Sequence, residues 1–141
     1  MAAKPKTEHP QVGALCWRRD GDRRLVLLVT SRDTRRWVIP KGNRMPEKSD
    51  WLAAAQEAME EAGVQGSVGP EPLGAYAYEK RLKTGRKRAT RVEVYGLEVL
   101  IQLGAWPESN ERDRRWVTIE QAIEAVDEPG LRDLLKRFGQ G

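Results

Sequence analysis

Glu57, Glu60 and Glu61 stand at i, i+3 and i+4 within a stretch rich in Ala, Leu, Met, Gln and Glu. On a helix that spacing gathers three carboxylates along one edge. Carboxylates so close repel and raise one another's pKa, and here they fall near a helix C-terminus, where the macrodipole disfavours anions. A divalent cation removes the conflict, because magnesium takes carboxylate oxygens and substrate phosphates together while keeping several waters. The cluster makes sense if such a metal is bound. The glutamates alone leave open a plain solvated acidic face.

Other chemistries lack the residues. Cys16 is the one cysteine and His9 the one histidine, which argues against an intramolecular disulfide, a cysteine zinc site, a Ser-His-Asp triad and multi-histidine metal binding. A lone thiol suits a reducing cytosol, so the expected location is cytoplasmic. The longest strongly apolar run, Leu25 to Val29, is too short to cross a bilayer, and Met1 to Gln11 lacks the apolar stretch of a signal peptide. Residues 1–10 are expected to be a flexible lead-in and 11–141 one domain, a usual size for a single core.

The elements that must position the glutamates follow from pattern. Val12 to Arg18 and Leu25 to Ser31 are apolar runs around the turn-forming Arg19-Asp20-Gly21-Asp22, and read as a hairpin. Trp37-Val38-Ile39 is a short third strand stopped by Pro40, and Lys41 to Ser49 reads as a loop. A helix is predicted over Asp50 to Ala62, with Ser49 or Asp50 as N-cap and Gly63 as its stop. Leu73 to Leu82 and Thr90 to Ile101 read as a second hairpin with a basic tip, Lys83 to Arg88. A change of phase around Tyr95-Gly96 suggests a bulge. Trp116-Val117 is a last short strand, Thr118 caps a helix over Ile119 to Val126, and Pro129-Gly130 separates it from a basic amphipathic helix, Leu131 to Phe138. Strands, a helix, more strands and terminal helices make a mixed α/β chain without regular βαβ alternation.

The segment from Gly42 to Val64 resembles the Nudix hydrolase signature G-x5-E-x7-R-E-U-x-E-E-x-G-U, where U is aliphatic: Gly42 opens it, Glu57 and Glu60-Glu61 are its acidic positions, and Gly63-Val64 close it. Two positions depart. Lys48 stands where the signature has Glu, and Gln56 where it has Arg. The family's arginine orients a metal-binding glutamate, so Gln56 would have to do so through its amide. Arg36-Trp37-Val38-Ile39-Pro40-Lys41-Gly42 and Arg115-Trp116, with Thr30-Ser31-Arg32, look like the diphosphoinositol polyphosphate phosphohydrolase branch and its bacterial relatives. The resemblance runs over roughly residues 11 to 138.

That resemblance implies an α/β/α sandwich with a mixed sheet and a catalytic loop-helix-loop. It also implies attack of water on a diphosphate linkage, with Glu57 and Glu61 as ligands of magnesium or manganese and Glu60 as proton acceptor. For substrate binding the candidates are Arg32, Lys41, Gly42, Lys48 and Arg112. Guanidinium grips phosphate oxygens with paired donors, whereas Lys48 either contacts a phosphate or pairs with Glu47. Trp37, Trp51, Trp106 and Trp116 could stack on a base, but core packing is the commoner use.

A net charge of +4, with one basic block over Lys80 to Arg91 and another over Arg32 to Lys48, suits a polyanionic ligand. The expected partner is a polyphosphorylated small molecule, a diphosphoinositol or dinucleoside polyphosphate. Alternatives are an RNA whose 5′-pyrophosphate is removed, and a non-catalytic module that binds nucleotide or RNA. No membrane partner is expected, and the sequence leaves the oligomeric state open.

Overall fold

The computed structural model describes residues 8–141. The strands are β1 (His9–Asp20), β2 (Arg23–Thr30), β3 (Trp37–Val38), β4 (Lys41–Asn43), β5 (Val64–Val68), β6 (Gly74–Arg81), β7 (Lys87–Gln102) and β8 (Arg114–Thr118). The helices are α1 (Asp50–Ala62), α2 (Ile119–Ala125) and α3 (Pro129–Gln140). Of the expected lead-in, residues 1–7 lie outside the described residues. His9 and Pro10 do not belong to it: β1 begins at His9, whose Nε2 lies 2.9 Å from Asn43 Oδ1, because β7 supplies a ladder out to Thr90.

All eight strands join one mixed sheet, with the path β3-β2-β1-β7-β5 at its centre. β1 runs parallel to β7 from His9 opposite Thr90 to Trp17 opposite Glu98. On its other edge β1 has two successive partners, β4 over residues 11–13 and β2 over 17–20. β7 likewise passes from β6, which begins at Gly74 opposite Val94, to β5, which ends at Val68 opposite Leu97.

Both faces of this sheet are covered, so its central strands are apolar on both sides. Val12, Ala14, Cys16, Leu27, Val29, Tyr95 and Leu97 pack with α1, whose contact face is Ala53, Ala54, Ala58 and Ala62. Leu15, Val26, Leu28, Val92, Val94 and Val117 pack with α2 and α3 through Ala122, Leu131, Leu134 and Leu135. The layers form the expected α/β/α sandwich.

The two-sided cover also explains the phase change in β7. Val92 and Val94 point to one layer, Tyr95 and Leu97 to the other, and pairing with β1 runs unbroken through Tyr95 and Gly96. The irregularity lies further on, where β5 shifts register between Gln65 and Gly66 opposite β7. Lys41 to Asn43, expected as loop, is a strand because β1 offers Gln11 to Gly13 an otherwise unpaired edge. Pro129 opens α3 rather than separating it from α2, since proline's missing N–H costs nothing in a first turn. Thr118 caps α2 as expected: its side chain accepts from the Gln121 amide at 3.1 Å, and Gln121 Oε1 accepts from the Thr118 amide at 2.9 Å.

Candidate active site

α1 starts behind β4, and its last turn is fixed by the loop before β8. Gly63 ends the helix in the left-handed conformation at φ 67°, its N–H donating to Met59 O. The carbonyls that a helix end leaves unpaired are each taken here. The Glu108 amide donates to Glu60 O, the Trp106 indole N–H to Glu61 O at 3.0 Å, Arg114 Nη1 to Ala62 O at 2.8 Å, and the Leu103 amide to Gly63 O. The Arg114 guanidinium lies 3.9 Å over the Trp106 ring. A cation thus sits at the negative end of the helix dipole, which partly offsets the unfavourable position of the glutamates.

Glu57 and Glu61 converge on each other, and each bears on the other's ionisation. Burial pushes the Glu57 carboxyl up to about 8, helped by its hydrogen bond to Glu61 and by the charges of Glu61, Glu60 and Glu108. Burial raises Glu61 as well, against the opposing influence of Arg112, Glu57 and Lys41. Glu61 is 6% exposed and accepts from the Lys41 amide at 3.3 Å. Gly42 lies against Glu57 so closely that a Cβ there would fall 2.4 Å from the carboxyl carbon.

Glu60 takes another course. Gln56 Nε2 donates to Glu60 Oε1 at 3.0 Å, and Lys48 Nζ donates to Gln56 Oε1. Among the described residues no three His, Cys, Asp or Glu side chains meet as a metal-binding group. Two converging carboxylates of raised pKa still fit a magnesium ion, which is held by one or two carboxylates plus water and phosphate.

The basic candidates separate on inspection. Arg112 has a side chain 9% exposed and is a strut: Nε donates to Glu108 Oε1 at 2.7 Å, Nη1 to Thr30 O at 2.9 Å, and Nη2 lies 3.7 Å from Glu61 Oε2. The Lys41 backbone faces Glu61 while its ammonium lies 5.2 Å over the Tyr78 ring, and burial lowers its pKa against the pull of Glu61 and Glu128. Arg32 is exposed and pairs with Glu111 at 3.7 Å. Lys48 engages Gln56 rather than Glu47.

Trp37 and Trp116 line one groove of about 360 Å³ with Leu28, Arg115, Val117 and Gln121, and no acidic residue of α1 lines it. Glu108 and Trp106 were missed as site residues. The i, i+4 spacing of Glu108 and Arg112 was a usable signal for the first, whereas nothing marks Trp106 as a helix cap.

Comparison with known proteins identifies the family. The NUDIX domain family matches residues 8–138. The chain is 31% identical over 125 residues to Nudix hydrolase 13, mitochondrial, of Arabidopsis thaliana, covering 80% of this chain and 58% of the relative. It thus spans about three fifths of that plant protein. Against human diphosphoinositol polyphosphate phosphohydrolase 3-beta it is 32% identical over 124 residues, covering 86% of this chain and 71% of the relative. Among solved structures, the binary complex of the C. elegans Ap4A hydrolase superposes with a TM-score of 0.69 at 21% identity, covering 93% of this chain and 95% of the other. With its acidic helix, the glycine of β4 packed against it and this match across almost its whole length, the chain belongs to the Nudix family.

Proposed function

We propose that this chain is a divalent-metal-dependent hydrolase of diphosphate bonds in a heavily phosphorylated small molecule, a dinucleoside or diphosphoinositol polyphosphate. The observation that carries the reading is the Glu57–Glu61 pair, with Glu61 buried and braced by Arg112 and Glu57 half-buried against Gly42. Two acids held this way are costly unless their charge is matched, and a binding module without metal gains nothing from them. Nudix hydrolases generally use divalent metals such as magnesium.

Magnesium, or manganese in its place, would bind Glu57 and Glu61, neutralise phosphoryl charge and help place water in line with the scissile bond. The chain's own residues do the rest. Arg112 and the Lys41 amide hold Glu61 in one orientation. Gly42 leaves room for the Glu57 carboxylate. Glu60 has one oxygen occupied by Gln56, and its Oε2 takes the proton of the attacking water as the P–O bond to the leaving phosphate breaks. Arg32 contacts the substrate's outer phosphates by releasing Glu111, and Lys41 serves the site through its backbone amide on Glu61. We place the protein in the cytoplasm, where its buried Cys16 thiol, pushed up to about 12 by desolvation, stays reduced.

The test is phosphate release from dinucleoside polyphosphates, diphosphoinositol polyphosphates, nucleoside triphosphates and 5′-triphosphorylated RNA, with magnesium and with chelator. Magnesium-dependent turnover of one of the first two classes, lost in Glu61→Gln, is the expected result. Silence across the panel with tight binding of any member would replace the hydrolase by a binding module.

A further inference from the structure

Lys48 and Gln56 are the two departures from the Nudix signature, and they touch each other. Lys48 lies in the loop before α1, and its ammonium donates to Gln56 Oε1; Gln56 Nε2 then donates to Glu60 Oε1, one helical turn on. We propose that Lys48 and Gln56 are a matched pair of positioning residues that fixes the Glu60 carboxylate, so that Gln56 serves Glu60 rather than the expected metal-binding Glu57 or Glu61. The inference rests on the hydrolase reading for Glu60's role.

The argument is one of donors and acceptors. A glutamine amide has an accepting end and a donating end, and which faces which neighbour is set by the network around it. An ammonium only donates and a carboxylate only accepts. With Lys48 on one side and Glu60 on the other, one orientation of the Gln56 amide satisfies both, so Lys48 selects the orientation that Glu60 needs. A signature with Glu at 48 and Arg at 56 is self-consistent in a different way, because guanidinium donates to carboxylates on both sides.

Mixed combinations fail. Lys48→Glu alone sets a carboxylate against Gln56 Oε1; the amide turns to donate to it and presents oxygen to Glu60, acceptor against acceptor. Gln56→Arg alone sets a guanidinium against the Lys48 ammonium. The double change restores a consistent set. A lysine acting as a phosphate contact predicts none of this interdependence.

The experiment compares the parent with Lys48→Glu, Gln56→Arg, the double variant and the milder Lys48→Met, using the substrate identified from the panel. Lys48→Glu and Gln56→Arg are each expected to lower kcat by about 10- to 100-fold, the range for lost outer-shell support, with KM little changed. The double variant should return to within about threefold of the parent, the non-additivity expected of residues in contact. Two readouts do not need turnover. The side-chain amide resonances of Gln56 should shift in Lys48→Met, and manganese affinity by calorimetry should hold in all variants, since Glu57 and Glu61 are untouched.

A raised KM with unchanged kcat in Lys48→Glu, or losses that simply add in the double variant, would overturn the pairing and make Lys48 a phosphate ligand. So would a Gln56 amide indifferent to Lys48→Met. If the parent itself turns over nothing, the hydrolase reading has failed, while the resonance shift still reports whether Lys48 holds the amide.

Discussion

At the scale of single residues, Gly42 shows how a motif position acquires its reason. The sequence marks it as a turn or close-approach glycine, and the structure names what approaches: the Glu57 carboxylate. Its φ is not among the positive values, so alanine is allowed by the backbone and tests the contact alone. Gly42→Ala is expected to swing Glu57 aside and weaken manganese binding about tenfold or more by calorimetry, with kcat falling alongside. Retained affinity would mean that Glu57 is not a ligand. That Glu57 and Glu61 share one helix edge was legible because helical spacing is a rule of geometry, whereas the roles of the glutamates were legible only through the resemblance. Arg112 was legible only as a position, since its spacing cannot say whether it grips a phosphate or a carboxylate of its own protein. Burial decides that it braces Glu61. Arg32 and Lys48 were open in the same way, because a long side chain's partner depends on what the fold brings within reach.

At the scale of elements, α1 was readable to the residue, from Asp50 to Gly63, while its clamp was not. Helix formers, the capping position and the glycine stop are local signals. Trp106 and Arg114 reach α1 from more than forty residues away and pair with backbone carbonyls, which leaves no trace in side-chain pattern. Arg114→Met removes donors to Ala62 O and Leu103 O and is expected to cost about 1.5–3 kcal/mol in urea unfolding, the usual range for a hydrogen bond to a charged group. A change below about 0.5 kcal/mol would mean that solvent serves those carbonyls equally well. β4 and β5 went unread for a related reason: Lys-Gly-Asn and Val-Gln-Gly-Ser-Val have little strand character, and each is a strand because a neighbouring edge needs a partner.

For the molecule as a whole, the acidic pair is expected to couple stability to pH and, on the proposed function, to metal. The Glu57 carboxyl lies near 4.5 in an unfolded chain and is pushed up to about 8 in the folded one. Its contribution to stability is therefore complete below about 4.5 and is lost as pH rises through 8, where the folded protein must hold a charge the unfolded chain carries freely. Melting temperatures in chelator should fall between about pH 5 and pH 8.5. Saturating magnesium should flatten that fall by binding the native state, and Glu57→Gln should shrink the difference. A gap of the same size in Glu57→Gln would place its origin elsewhere. The mixed α/β class was legible from the run of elements and the sandwich only through the family resemblance, but the parallel pairing of β1 with β7 was legible in neither, because neither strand carries any local record of a partner so distant.

That pairing sets an order of events during synthesis. His9 to Trp17 must wait for Thr90 to Glu98, about eighty residues later, which at roughly 5–20 residues per second is on the order of 4 to 16 seconds. Through that interval the apolar run Ala14-Leu15-Cys16, fully buried in the finished protein, has no parallel partner, and α1 has been made without the Trp106–Arg114 clamp that closes its end. The nascent chain thus carries this run without its parallel partner until β7 emerges, and α1 gains the clamp on its C-terminal end only when the stretch from Trp106 to Arg114 is made.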